Sequence, residues 1–320
     1  MQVRIILAMM VLALGASAQA ASEAELTKFA ASAAKKHKLD AAWVLKTLKA
    51  ATVKKSVRDA FKRTAESKTW KEYRPIFVKE KRAAKGREFA AEHAAEMAQA
   101  EQKFGIPAAI IGAIIGVETF YGTYTGKHRV LDSLVSLSFY DWRRRKFFAS
   151  ELEQFLLLAS EGHVDPLKVK GSYAGAMGLS QFISSSYRAY AIDFDADGKR
   201  DLINSPADAI GSVAAYLKRH GWQTGKSIGM PLKNGTAMQL APYKKRKKPT
   251  ISVARLRKAG APIPASVPAS RKAMILKLNG AKGAEYWLVF KNFYVVTTYN
   301  HSPLYAMAVN QLSELLARQP

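Results

Sequence analysis

Ten residues constrain everything around them. The run Ala108-Ala109-Ile110-Ile111-Gly112-Ala113-Ile114-Ile115-Gly116-Val117 is apolar on every face. Pro107 stands before it, where a helix tolerates a residue without an N–H. A helix apolar all round must be enclosed by other elements, so the chain has to build layers on every side of 108–117. The run ends in Glu118-Thr119-Phe120-Tyr121-Gly122, with Tyr124 close behind. A carboxyl there faces partial desolvation, which disfavours the charged form and raises the pKa. A carboxylic acid kept neutral near pH 7 can protonate a leaving-group oxygen. The plainer alternative is a capping or ion-paired Glu at a helix–loop junction.

The flanking sequence supplies the layers. Residues 22–104 read as helical, with Asp40 placed to cap a helix carrying Trp43, Val44, Leu45 and Leu48. Residues 79–103 are rich in Ala, Glu, Lys and Gln, and Gly105 ends that helix. Ser150-Glu151-Leu152-Glu153 matches a capping box opening a helix through Leu158, with Gly162 as its stop. Asp208 to His220 is amphipathic and ends in Lys218, Arg219 and His220, which suits a helix C-terminus. Residues 225–270 carry six prolines among Lys and Gly and read as loops and short strands. Segments 273–279 and 285–291 alternate around Asn279-Gly280, which predicts a hairpin with a slightly longer loop. Residues 293–298 also read as strand, and a short helix around Ala306, Val309, Leu312 and Leu316 closes the chain. No segment repeats internally.

The chain's address conditions its charge. Arg4, the apolar run Ile5–Leu14 and Ala18-Gln19-Ala20 form the pattern of a secretory signal over residues 1–20. Ten apolar residues are too few to span a bilayer. No cysteine occurs in 320 residues, which excludes disulfides, thiolate metal sites, cysteine catalysis and a cysteine-linked lipid anchor. Fifty Lys and Arg against 25 Asp and Glu give a net charge of +25. Such a field implies a polyanionic partner: nucleic acid, an anionic membrane or an anionic wall polymer. Export argues against nucleic acid. Between Ala209 and Ala284 there is no acid, and that stretch supplies +16 of the total.

Three further motifs carry chemistry. Gly171-Ser172-Tyr173-Ala174-Gly175-Ala176-Met177-Gly178-Leu179-Ser180-Gln181-Phe182 is small enough for a ligand to approach the backbone closely. It lacks the G-x-S-x-G of a serine-hydrolase elbow, and its alternative reading is a tight packing loop. Asp193-Phe194-Asp195-Ala196-Asp197-Gly198-Lys199 matches the opening of an EF-hand loop, with the Lys199 carbonyl at position 7. Asn204 stands at position 12, where a bidentate Glu is usual, so an acidic turn without metal is the alternative. Tyr299-Asn300-His301-Ser302 and Tyr305 suit a sugar site, where rings stack and amides bond hydroxyls. No H-x-x-x-H pair, P-loop or G-x-G-x-x-G is present.

In this order and spacing, GVETFYG (116–122), LDSLVSLSFYDWRRRKFF (131–148), ELEQFLLLA (151–159), DPLKVKGSYAGAMGLSQF (165–182), DFDADG (193–198), DAIGSVAAYLKRHGW (208–222) and TYNHSPLYAMAV (298–309) resemble the membrane-bound lytic transglycosylase B family, lysozyme-like enzymes that cleave peptidoglycan. The resemblance implies a mostly helical α+β fold: an N-terminal helical domain (21–104), a lysozyme-like catalytic core (105–225), a small basic β-rich insertion (226–292) and a C-terminal segment returning to the core (293–320). It implies Glu118 as the single acid/base and Ser172 and Asn300 at the reacting sugar. Arg143 and Arg144 would face the peptide stem, and Gln181, Tyr73, Tyr216, Tyr299 and Tyr305 would line the glycan cleft. No cofactor is needed for the chemistry. A structural calcium would be held by Asp193, Asp195, Asp197 and Lys199, with Asp208 as closing ligand in a loop longer than twelve residues.

Most glycosidases use two carboxylates. Here Asp132 lies in an apolar helical stretch and Asp141 sits beside Arg143, so Glu118 stands alone. The resemblance implies that it cleaves between N-acetylmuramic acid and N-acetylglucosamine without water, giving a 1,6-anhydro product. A hydrolytic muramidase and a non-catalytic wall-binding module are the alternatives. The expected setting is the periplasm, as a monomer that is not a lipoprotein, working on glycan strands and stem peptides beside an anionic envelope surface.

Overall fold

The computed structural model describes residues 21–63, 68–139, 143–232 and 242–318. Residues 1–20, read above as a secretory signal, and Asp141 lie outside them. Six helices open the chain: α1 (Glu23–His37), α2 (Ala41–Lys49), α3 (Lys55–Arg63), α4 (Trp70–Phe77), α5 (Glu80–Glu92) and α6 (Ala94–Phe104). Asp40 caps α2 as expected, its side chain accepting from the Trp43 amide at 2.6 Å. The 79–103 stretch is two helices, broken at His93. Gly105 ends α6 in the left-handed conformation, at φ 68°.

The apolar run forms α7 (Ala108–Thr119), and every residue from Ile110 to Val117 is buried. It is walled by α5, α6, α11 (Pro206–Arg219) and α14 (Pro303–Leu316). Four enclosed isoleucines, each stabilising by roughly 2–3 kcal/mol on burial, anchor the core here. Between α7 and α11 come β1 (His128–Arg129), α8 (Val130–Ser138), α9 (Arg145–Ser160), β2 (Lys170–Gly171) and α10 (Ser184–Tyr190). Strands β1 and β2 pair antiparallel.

The expected capping box at Ser150 is overturned. Helix α9 starts five residues upstream, at Arg145, and Ser150 lies inside it. Glu151 is buried and caps a neighbour instead, accepting from the Ser185 amide of α10 at 3.0 Å.

The insertion holds β3 (Gly229–Leu232), β4 (Ile251–Ser252), α12 (Val253–Lys258), β5 (Lys272–Gly280) and β6 (Gly283–Val289). The four strands form one antiparallel sheet ordered β3-β6-β5-β4. A small separate core of Leu232, Val253, Leu256, Ile275, Leu288 and Phe290 packs it. The hairpin loop is shorter than expected: Gly280 pairs with Gly283, leaving Ala281 and Lys282 in the turn.

Residues 293–298 are helical, not strand; they belong to α13 (Lys291–Tyr299). The sheet ends in β3 and β4 and this segment joins neither; burial as a helix overrides its β-formers. As a helix it buries Phe293, Val295 and Val296 in the main core and returns the chain to α14. No single helix among the described residues is long and apolar enough to cross a membrane.

Candidate active site

Glu118 occupies the last turn of α7, where the helix dipole is negative and opposes a second negative charge. The residue keeps a partly exposed edge, yet its carboxyl is closely surrounded. Burial is the main cause that lifts its pKa to about 7. The Tyr305 hydroxyl opposes that shift by favouring the anion, although it falls short of full hydrogen-bond geometry. Tyr73, Tyr299 and Tyr305 all feel the charge of Glu118. Burial and that charge push the Tyr73 phenol up to about 12. The junction alternative fails: no salt bridge reaches Glu118 among the described residues.

The turn after Glu118 is held open by strain and by neighbours. Phe120, Tyr121 and Gly122 take positive φ in succession. Thr119 is buried, and its hydroxyl lies 3.2 Å from the Ile115 carbonyl and 3.1 Å from that of Leu179 while accepting from the Gly122 amide at 3.1 Å. It thus ties the acid's helix to the 171–182 loop. A Cβ at Gly86 or Gly116 would collide with the Tyr121 ring, so both glycines are required by that close approach. Arg82, which carried no signal in the sequence, donates to the Gly116 carbonyl and stacks over Phe120 at 4.8 Å. It neutralises the open end of α7.

A groove of about 940 Å³ runs beside Tyr299. Six sequence-predicted residues line it: Arg143, Arg144, Gln181, Tyr216, Tyr299 and Asn300. Gln181 donates to the Thr125 and Gly178 carbonyls at 2.9 Å, which leaves its amide oxygen to the groove. The Tyr299 hydroxyl donates to the Ser180 carbonyl at 2.5 Å, and that of Tyr216 to the Thr298 carbonyl at 2.7 Å. Both hydroxyls are therefore committed within the protein, and the Tyr216 ring stacks on His220 at 4.0 Å. Asn300 accepts from the Ser302 amide at 3.2 Å. Arg144 stacks on Phe147 at 4.8 Å.

Ser172, Tyr73 and Tyr305 do not line this groove. Ser172 Oγ accepts from the Ala174 and Ala176 amides, at 3.2 and 3.0 Å, and braces its own loop. Tyr305 is fully buried, and Tyr73 reaches Glu118 from α4. His301, from the motif read as suiting a sugar, lines the groove as well, and so do Lys245 and Arg246, which sequence reasoning missed as a wall. The only signal for those two was the basic run 244–248.

Asp132 is spent on structure, accepting from Arg129 Nε at 2.9 Å and from the Thr52 amide at 2.8 Å. Asp193, Asp195 and Asp197 bring one oxygen each to within 4.8 Å of one another. Three crowded carboxylates fit a hard oxygen-liganded cation. The Lys199 amide donates to Asp197 at 2.8 Å. Asp208 is not in that group. It lies beneath the loop, accepting from the Phe194 and Asp201 amides at 2.6 and 2.7 Å. Burial raises its pKa, with the charges of Asp195 and Asp193 adding to the effect.

A desolvated acid at the end of an enclosed helix, beside a groove of tyrosines and amides, defines a lysozyme-like glycan-cleaving enzyme. The family described as the transglycosylase SLT domain matches residues 21–314, and the chain belongs to it. It is a peptidoglycan lytic transglycosylase. It is 43% identical over 248 residues to membrane-bound lytic murein transglycosylase B of Escherichia coli K12, covering 78% of this chain and 67% of that one. The soluble lytic transglycosylase SltB1 from Pseudomonas aeruginosa superposes with a TM-score of 0.85 at 44% identity, over 92% and 98% of the two chains. The Escherichia coli lytic transglycosylase Slt35 in complex with calcium gives 0.82 at 39% identity, over 91% and 92%.

Proposed function

We propose that Glu118 alone performs both proton transfers of a non-hydrolytic cleavage. The observation that carries this is its lone, desolvated carboxyl with a pKa of about 7, which acts on the groove-lining Tyr299 while no acid among the described residues lines the groove itself. The neutral acid gives its proton to the oxygen joining N-acetylmuramic acid C1 to N-acetylglucosamine C4, and the C1–O bond breaks. The substrate's acetamido group stabilises the anomeric carbon. The Glu118 carboxylate then takes the proton of the muramic acid C6 hydroxyl as O6 bonds to C1. The products are a free 4-hydroxyl and a 1,6-anhydro sugar, and Glu118 is again protonated.

Tyr216, Tyr299 and Gln181 line the glycan path. Ser172 and Asn300 meet the reacting sugar: with two amides already donated to it, the Ser172 hydroxyl keeps its proton for a substrate oxygen. Tyr73 and Tyr305 hold Glu118 in place. Arg143 and Arg144 face the carboxylates of the stem peptide. Asp193, Asp195, Asp197 and the Lys199 carbonyl would hold a structural calcium, with Asp208 bracing the loop. That ion would stiffen the loop and take no part in bond cleavage. The protein acts as a periplasmic monomer, its insertion (226–292) working as a unit at an anionic envelope surface.

Mass spectrometry of digested sacculi tests the chemistry. Anhydro products without added water support it; one water gained per cut would assign a hydrolytic muramidase instead. Calcium should raise the melting temperature of wild type and leave Asp197→Asn unchanged.

A further inference from the structure

The insertion and the start of α13 enclose a second cavity, of about 520 Å³, lined by Lys226, Lys248, Arg271, Lys272 and Lys291. No acid lines it. None of the five cations forms an ion pair among the described residues. Like charges gathered in a concave site repel one another and focus the field outward. Their spacing therefore works against the empty pocket and favours an anion in it.

The walls are built rather than incidental. Asn292 is buried and holds the 223–226 turn with three hydrogen bonds: it accepts from the Gln223 amide at 2.8 Å and donates to the Gln223 and Lys226 carbonyls at 2.9 and 2.6 Å. Arg271 donates to the Ser227 hydroxyl and carbonyl at 3.2 and 2.9 Å and lies 3.5 Å over the Phe290 ring. Lys291 packs over Tyr294 at 4.8 Å. Arg271 and Lys291 are only partly exposed, and burial lowers the pKa of both; the nearby Lys248 charge lowers Lys291 further. The exposed Lys226, Lys248 and Lys272 complete the ring.

We propose that this pocket is a binding site, distinct from the catalytic groove, for an anion carrying more than one phosphate group. The guanidinium fork of Arg271 is committed to Ser227, so planar bidentate capture of a carboxylate is not what the pocket offers. Its remaining donors are ammonium point charges, which suit phosphate. Five cations exceed what one phosphate needs. The basic run 244–248 joins this pocket to the groove, because Lys248 lines the former while Lys245 and Arg246 line the latter.

Calorimetric titration of the full chain with inorganic tripolyphosphate tests the site. The pocket variant Lys226→Gln/Lys272→Gln/Lys291→Gln should lose about tenfold or more in affinity. A control with equal charge removed from the α1 region, Lys28→Gln/Lys35→Gln/Lys38→Gln, should lose less than about threefold. Lys226→Gln/Lys272→Gln, both exposed, gives the same reading with no risk to packing. Cleavage of purified sacculi should be unchanged in all of them, which separates this site from the assignment of Glu118. Vesicles of phosphatidylglycerol identify the source of the phosphate. If the pocket variant loses vesicle binding together with tripolyphosphate, the ligand is a lipid headgroup. If it loses tripolyphosphate alone, the phosphate is soluble or polymer-borne. Equal losses in pocket and control variants, or no tripolyphosphate binding by wild type, would overturn the proposal.

Discussion

The end of α7 and the start of α8 each carry a carboxylate in a tightly packed setting, and the two have opposite fates. Asp132 sits in the first turn of its helix, on the positive end of the dipole, with Arg129 and the Thr52 amide on its oxygens. Glu118 sits in the last turn of its helix, on the negative end, with tyrosines around it and no counter-charge. Burial with partners makes a structural anion; burial without them makes an acid. The same side-chain chemistry is thus spent on stability in one place and, under the proposed function, on catalysis in the other.

The largest effect should come from removing the acid. Glu118→Gln is expected to lower the rate of sacculus lysis by about 10³-fold or more, while circular dichroism and sacculus binding stay as in wild type. Lysis at the wild-type rate would end the comparison. Asp132→Asn should do the reverse. Its Arg129 partner is partly solvated, so we expect a loss of roughly 2 kcal/mol in urea denaturation, with undiminished activity per folded molecule.

The pKa of Glu118 makes a third prediction, with a definite sign. Because the folded value, about 7, lies above the ordinary carboxyl value of 4.5, the native state holds its proton more tightly than the unfolded chain. The Glu118 contribution therefore weakens stability as pH rises from about 4.5 to 7. Glu118→Gln should match wild type near pH 4 and exceed it by roughly 2 kcal/mol at pH 8, after allowance for its partial exposure. An equal difference at both pH values would show that the carboxyl is not desolvated. For the same reason kcat/KM should decline above pH 7, as the acid is lost.

The smallest effect concerns Tyr305. Its hydroxyl favours the Glu118 anion, so Tyr305→Phe should move the alkaline limb of the pH profile upward by roughly half a unit. A downward shift would mean that Tyr305 acts on the substrate rather than on the acid.

Much of this was legible in the chain. The apolar run required a buried helix, and Glu118 at its end required an explanation. Asp40, Gly105 and Gly162 marked helix boundaries through local chemistry that needs only a few neighbouring residues. The errors fell where a distant partner decides. Ser150-Glu151 has the spacing of a capping box, but Glu151 caps α10 across the interface. Phe293, Val295 and Val296 favour a strand, yet their burial in the main core as a helix overrides that preference. Arg82 looked like one more surface cation among 50 and proved to close the end of α7.

By itself the sequence determined the buried central helix, the acid at its end, the three crowded aspartates and the excess of positive charge. Each follows from composition and short-range spacing, which hydrophobic burial and local hydrogen bonding read directly. Only the tertiary structure decided how the two carboxyls are held, Glu118 without a counter-charge and Asp132 with partners. That depends on what stands around each one: Tyr73 arrives from 45 residues before Glu118 and Tyr305 from 187 after it, while Arg129 lies three residues from Asp132. A pKa is set by the full surroundings of a group, and those exist only once the chain has folded.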